Sequence, residues 1–159
     1  EYHTRILVGA ANHYGIQVRR QYVPSAALKG LIGGLAYAPK PLFHPVLYGA
    51  EVAGVYIFNW TLGQISRWIK DDPQLVEALE QRLGEGRGDE IGHGGFNRLV
   101  LGEPGRKLGQ FLAGQTLRGL PSITPELRPV GFDDAALRGF ARFDLPDLPE
   151  EVRRRGFFA

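Results

Sequence analysis

Hydrophobic positions in this chain fall into short runs punctuated by glycine and proline, and their spacing changes from one run to the next. Thr4 to Ala10 (TRILVGA) is β-rich and predicts a short buried strand that runs into the polar turn ANHYG. Val23 to Leu35 (VPSAALKGLIGGL) opens with Pro24, suited to a first helical turn, and spaces Leu28, Leu31 and Ile32 as a helix does; Gly30, Gly33 and Gly34 weaken it. Tyr37 to Gly49 carries three prolines and predicts an extended connection or edge segment. Ala53 to Trp60 (AGVYIFNW) alternates, with Val55, Ile57 and Asn59 on one side and Tyr56, Phe58 and Trp60 on the other, which predicts a strand with one aromatic face.

Thr61 and Gln64 form a capping-box pattern ahead of a helical run with Leu62, Ile65, Trp68 and Ile69 as its apolar positions. After a break at DDP, the run QLVEALEQRL sets Leu75, Val76, Leu79 and Leu83 on one side of a second helix, with Asp72 as N-cap before Pro73. Gly84 to Gly95 holds six glycines in twelve residues and predicts a flexible loop, followed by a strand over Phe96 to Gly102. Beyond it, FLAGQTL fits strand or helix, and DDAALRGFARF predicts a short helix with an acidic first turn. The tail LPEEVRRRGFFA reads as a short amphipathic helix.

Composition narrows the class. The 159 residues suffice for one domain with a sizeable core, and 43% apolar and 23% charged residues are globular values. With no cysteine there is neither a disulfide framework nor a thiolate zinc site. The most apolar stretch, Val46 to Leu62, is interrupted by Glu51 and Asn59 and is too short and mixed to span a bilayer. No targeting segment precedes the first run, so a cytoplasmic protein without membrane contact is expected. Net charge is only +2, but residues 1–70 carry seven basic and two acidic side chains, whereas residues 71–159 carry twelve and fifteen. This asymmetry favours a polyanion at the N-terminal half and is equally compatible with a solvated face.

The glycine run has the composition of a phosphate cradle but lacks the G-K-[ST] of a nucleotide-triphosphate loop. It also precedes a strand, whereas dinucleotide-binding loops leave one. It therefore reads as a mobile connection or as an RNA-backbone contact. The Tyr56, Phe58, Trp60 face suits base stacking or plain core packing. His3, His13, His44 and His93 never fall three or four residues apart, so no helical pair of histidine ligands, no metal and no cofactor is expected. His13 and His93 both sit beside glycines, where a histidine can act as general base on a 2′-hydroxyl or simply bond backbone or phosphate. They are the catalytic candidates.

Two stretches resemble a known family. VPSAALKGLIG resembles the "iPGSSLKGllR" segment, and IGHGGFNRLVLG the "iGG…GfGrv" glycine-rich loop, of the RAMP superfamily of CRISPR effector complexes. The resemblance covers roughly residues 4–102 and implies an α+β, ferredoxin-like or RRM-like βαββαβ domain over residues 1–104. A partly helical C-terminal extension would fill residues 105–159. It implies an RNA-binding subunit that holds guide RNA through its backbone among the other protein subunits of a ribonucleoprotein. Ser25 and Lys29 on the first helix, Gly92, His93, Gly94, Gly95 and Arg98 at the glycine loop, and the basic Arg19 and Arg20 would contact RNA. The chain departs from the family motif at Ser25, Ala26, Ala27 and Gly33. Its loop Ala11 to Val23 has no acid, so target cleavage is not expected. A metal-independent guide-processing endoribonuclease using a loop histidine, and a protein-interaction domain without RNA, are the alternatives.

Overall fold

In the computed structural model, which describes residues 26–124 and 127–147, the described residues form six α-helices: α1 (Ala26–Ala36), α2 (Lys40–Leu62), α3 (Ile65–Trp68), α4 (Pro73–Val100), α5 (Glu103–Ile123) and α6 (Asp134–Phe140). Among the described residues there is no strand, so the expected α+β ferredoxin-like sheet is corrected to an all-helical architecture. The predicted first strand, Thr4 to Ala10, lies outside the described residues.

The centre of the fold is α2, against which both α4 and α5 pack. Pro39 and the prolines after it predict extended chain, yet they start this helix: Pro41 lies in the first turn, where a backbone N–H has no intrahelical partner to lose. Pro45 is inside the helix and buried.

The segment read as an aromatic strand is the middle and end of α2. Its strict alternation is a by-product of a helix whose apolar residues extend well beyond its buried face of Pro45, Tyr48, Gly49, Val52 and Ala53, as far as the exposed Leu42 and Ala50. Tyr48, Val52, Ala53 and Val55 are at most 3% exposed and form one core with Ala113 and Leu117 of α5, Phe132, Phe140 and Leu145. Tyr56 stands edge-on to Phe140 and Phe143 at ring separations of 5.3 and 5.2 Å and donates its hydroxyl to Ala136 O. Trp60 meets Phe132 at 4.9 Å and Trp68 at 5.5 Å. Phe58 points to a second, smaller core of Ile65, Leu79 and Leu83. The aromatic residues therefore serve packing on three sides of one helix and do not form a stacking face.

The glycine-rich stretch is helix as well. Asp72 caps α4 by accepting from Leu75 N at 2.9 Å, as the sequence predicts, but the helix continues without a break to Val100. Its buried face runs Leu79, Leu83, Gly86, then Gly94 and Asn97, with Glu90 between them, a spacing of three and four residues throughout. Each glycine costs about 1 kcal/mol of helix propensity relative to alanine, so this half of α4 is held by its packing on α2 and not by local preference. Gly84, Gly88 and Gly92 have no atom within 4 Å of where a Cβ would stand. Gly88→Ala and Gly92→Ala are accordingly expected to raise unfolding free energy by about 0.5–1 kcal/mol each in urea titrations. A loss of stability at both positions would contradict the helical assignment.

The crossing of α2 over α5 is closer than ordinary side chains permit. A Cβ on Gly49 would stand 2.6 Å from Gly109 O, and one on Gly109 would stand 2.9 Å from Pro45 O. Gly109, Ala113, Leu117 and Pro121 form the buried stripe of α5 at four-residue spacing. After α5 the chain turns at Gly131, which adopts φ +96°, buries Phe132 and enters α6 through Asp133, whose carboxylate accepts from Ala135 N and Ala136 N. Residues 143–147 then cross back. Gln110 donates to Phe143 O at 3.0 Å and Arg98 to Leu145 O at 2.9 Å, which seats Leu145 over Gly94. No helix among the described residues is long and apolar enough to cross a membrane.

Candidate metal centre

The seam between α2 and α4 is apolar at one end and polar along the rest. The two helices run antiparallel, since His44 pairs with Asn97 while Asn59, fifteen residues later, pairs with Arg87. His44 Nδ1 and Asn97 Oδ1 are 3.0 Å apart, and Asn97, only 3% exposed, donates through Nδ2 to His93 O at 3.0 Å. With its amide nitrogen so engaged, Asn97 receives the Nδ1 proton of His44. At the other end Arg87 donates to Asn59 Oδ1 at 3.1 Å, while its Nε is buried without an acceptor among the described residues.

Midway along this seam Glu51 of α2 faces Glu90 and His93 of α4. Glu90 and His93 are three residues apart, which puts both on one side of the helix. One donor atom from each of the three residues falls in a cluster in which all lie within 4.8 Å of one another. His93 Nδ1 is 3.9 Å from Glu51 Oε1, and the Glu51 side chain is 13% exposed against 67% for His93. The trio is thus buried on its α2 side and open at the imidazole.

Two glycines set the clearance. A Cβ on Gly54 would touch Glu90 Oε2 at 3.6 Å, and one on Gly94 would stand 3.4 Å from Glu51 Cβ and 2.8 Å from Leu145 Cδ2. Their missing side chains let the helices close until the two carboxylates meet. That meeting is unfavourable for two anions. Burial first, then a hydrogen bond to Glu90 and the Glu90 charge, push the Glu51 carboxyl up from 4.5 to about 8. The metal-free pair of Glu51 and Glu90 therefore favours holding a proton between its carboxyls. A divalent cation would take the place of that proton.

Two carboxylates and an imidazole are an O,O,N donor set suited to zinc, iron, manganese or cobalt. Three protein ligands also leave coordination positions for water or a small ligand.

The structure sorts the candidates read from sequence. His93 joins the trio, in a helix and not in a glycine loop. Gly94 and Gly95 are buried in α4, so the backbone N–H groups of this segment are spent on helical hydrogen bonds and cannot converge on phosphate. Gly92 is on the same helix and partly exposed. Arg98 is tied down: besides its bond to Leu145 O, it lies 3.9 Å from Asp144 and 3.4 Å from Asp147. Lys29 is an exposed residue of α1. His13, Arg19, Arg20 and Ser25 lie outside the described residues. Glu51 and Glu90 were missed. Glu90-x-x-His93 was legible once the stretch is read as helix, and Glu51 and Asn59, the two polar interruptions of an apolar run, are both residues of the polar seam.

No protein-family model, no curated protein and no solved structure matches this chain.

Proposed function

We propose that this protein binds a divalent first-row transition ion between α2 and α4, held by Glu51, Glu90 and His93, with open coordination positions for water or a small oxygen-donor ligand. The observation that carries the reading is the convergence of three metal-ligating side chains from two helices within 4.8 Å. The half-buried, proton-sharing pair Glu51 and Glu90 supports it, because a cation relieves the repulsion that the metal-free protein otherwise relieves by protonation. Such an ion would polarise a bound oxygen ligand or lower the pKa of a bound water. The chain's own residues orient it. Asn97 fixes the backbone of His93, Gly94 lets Glu51 approach, and Leu145 excludes water from that side.

The RNA-binding expectation is a separate reading: its glycine segment is helix and its ring residues pack in the core, while Ser25, Arg19 and Arg20 lie outside the described residues.

Titration of the full chain with Co2+, followed by visible absorption and elemental analysis, tests the proposal. Wild type is expected to saturate near one ion per chain, and Glu90→Gln and His93→Ala each to weaken binding by more than about tenfold. His93 is mostly exposed, so its alanine variant keeps the fold and its circular dichroism. Unaltered binding in both variants would overturn the assignment.

A further inference from the structure

Resting on that metal reading, we infer that two copies of this chain join across the trio and complete a dinuclear metal centre, each copy supplying one Glu51 and one Glu90–His93 pair. Helix bundles that hold a pair of iron or manganese ions take a single Glu from each of two helices and a Glu-x-x-His from each of two others. This chain presents half of that set on two antiparallel helices, and Glu90 to His93 is the sole Glu-x-x-His in its 159 residues. A two-fold axis beside the trio doubles it to four carboxylates and two imidazoles, the full complement. Closed two-fold pairing is also the commonest way identical chains associate.

The surface around the trio fits a second copy. His93 is 67% exposed, so its imidazole stands at the boundary of the molecule and not in its interior. The same face of α4 continues with Phe96 and Val100, 41% and 49% exposed, three and seven residues beyond His93. Offsets of three and seven are the seam spacing of one helix packed along another. The ligand and the apolar stripe therefore lie on one line of one helix, and an identical helix laid against it buries the stripe and brings the two ligand sets together. The partner is a second copy because an identical chain brings a matching Glu and Glu-x-x-His in the register that a two-fold axis requires.

The test uses the full chain loaded with Mn2+, read by light scattering for mass, by elemental analysis for stoichiometry and by electron paramagnetic resonance for coupling between ions. The expected result is a particle of twice 17.6 kDa with one Mn2+ per chain and an exchange-coupled signal. Val100→Asp is expected to give a monomer with native circular dichroism that has lost the coupled signal. A monomer binding one isolated Mn2+ overturns the shared centre and leaves the metal reading intact. A coupled signal from a monomer also overturns it, because the second ligand set would then come from the same chain. A coupled dimer unchanged by Val100→Asp overturns the seam on α4. No bound Mn2+ in wild type overturns the metal reading itself, and the shared centre with it.

Discussion

Gly109→Leu is expected to lower the stability of this protein by about 3 kcal/mol, a drop in Tm of roughly 6–12 °C for a chain of this size. The loss comes from the α2–α5 crossing. A Cβ at position 109 would stand 2.5 Å from Tyr48 Cδ1, 2.9 Å from Pro45 O and 3.4 Å from Gly49 N, and two of those three atoms are backbone. Tyr48 is 3% exposed and has no free volume to turn into. The helices must therefore separate, and separation opens the core of Val52, Val55, Ala113 and Leu117 that the close crossing creates. Gly119→Ala on the same helix is the matched control. Nothing lies within 4 Å of its Cβ position, and it should gain about 0.5–1 kcal/mol from helix propensity. Calorimetry on the two variants separates the effects, and equal tolerance at 109 and 119 would contradict the packing described.

Glu51→Gln is expected to act in opposite directions on stability and on binding. The Glu51 carboxyl titrates near 8 in the folded protein and near 4.5 when unfolded, so between these values the native state holds the extra proton. Its contribution to stability is fully present below about pH 4.5 and is lost as pH rises through about 8. Wild-type metal-free protein should therefore weaken over that range. Glutamine carries no charge and can donate an amide proton to Glu90, so the variant escapes this decline. After discounting for solvent screening, the variant should exceed wild type by about 2 kcal/mol at pH 9 and by little at pH 4.5. The metal response reverses the ranking. Added Mn2+ or Co2+ stabilises wild type by mass action and leaves Glu51→Gln unmoved, because the amide is a neutral and much poorer ligand. Melting curves at pH 5, 7 and 9, with and without metal, read both halves. A variant less stable than wild type at pH 9 without metal would contradict the carboxylate pairing.

Two helix starts were legible in this fold, but the Thr61–Gln64 capping box was not one of them, since Thr61 lies inside α2 and α3 begins after Gln64 with no side-chain cap. Asp72 before Pro73 and the paired acids at Asp133 and Asp134 mark N-termini by local hydrogen bonding alone, and both caps form. The helix predicted from Leu28, Leu31 and Ile32 corresponds to α1. The middle of the fold was not legible, for two physical reasons. A helix such as α2, apolar well beyond its buried face, blurs the amphipathic period that identifies helices, and its β-branched and aromatic residues then mimic a strand. Glycines in α4 mimic a loop because sequence shows their conformational freedom but not the neighbour that requires their small size, here Glu51 and Leu145 at Gly94. Missing α4 also hid the site. A search for histidine pairs at helical spacing passes over a histidine whose helical partner is Glu90 and whose third companion, Glu51, is 42 residues away in sequence. The proline-rich start of α2 misled in the same way, since Pro41 in a first turn and Pro45 in a buried one are compatible with helix when tertiary packing supplies the remaining energy.

Diffraction from crystals grown with Zn2+, recorded on both sides of the zinc absorption edge, tests the central claim most directly. An anomalous peak is expected on the α2–α4 seam, about 2.0–2.2 Å from a carboxylate oxygen of Glu51, a carboxylate oxygen of Glu90 and a ring nitrogen of His93. A peak held by other residues, or no peak on the seam with zinc in excess, would contradict it.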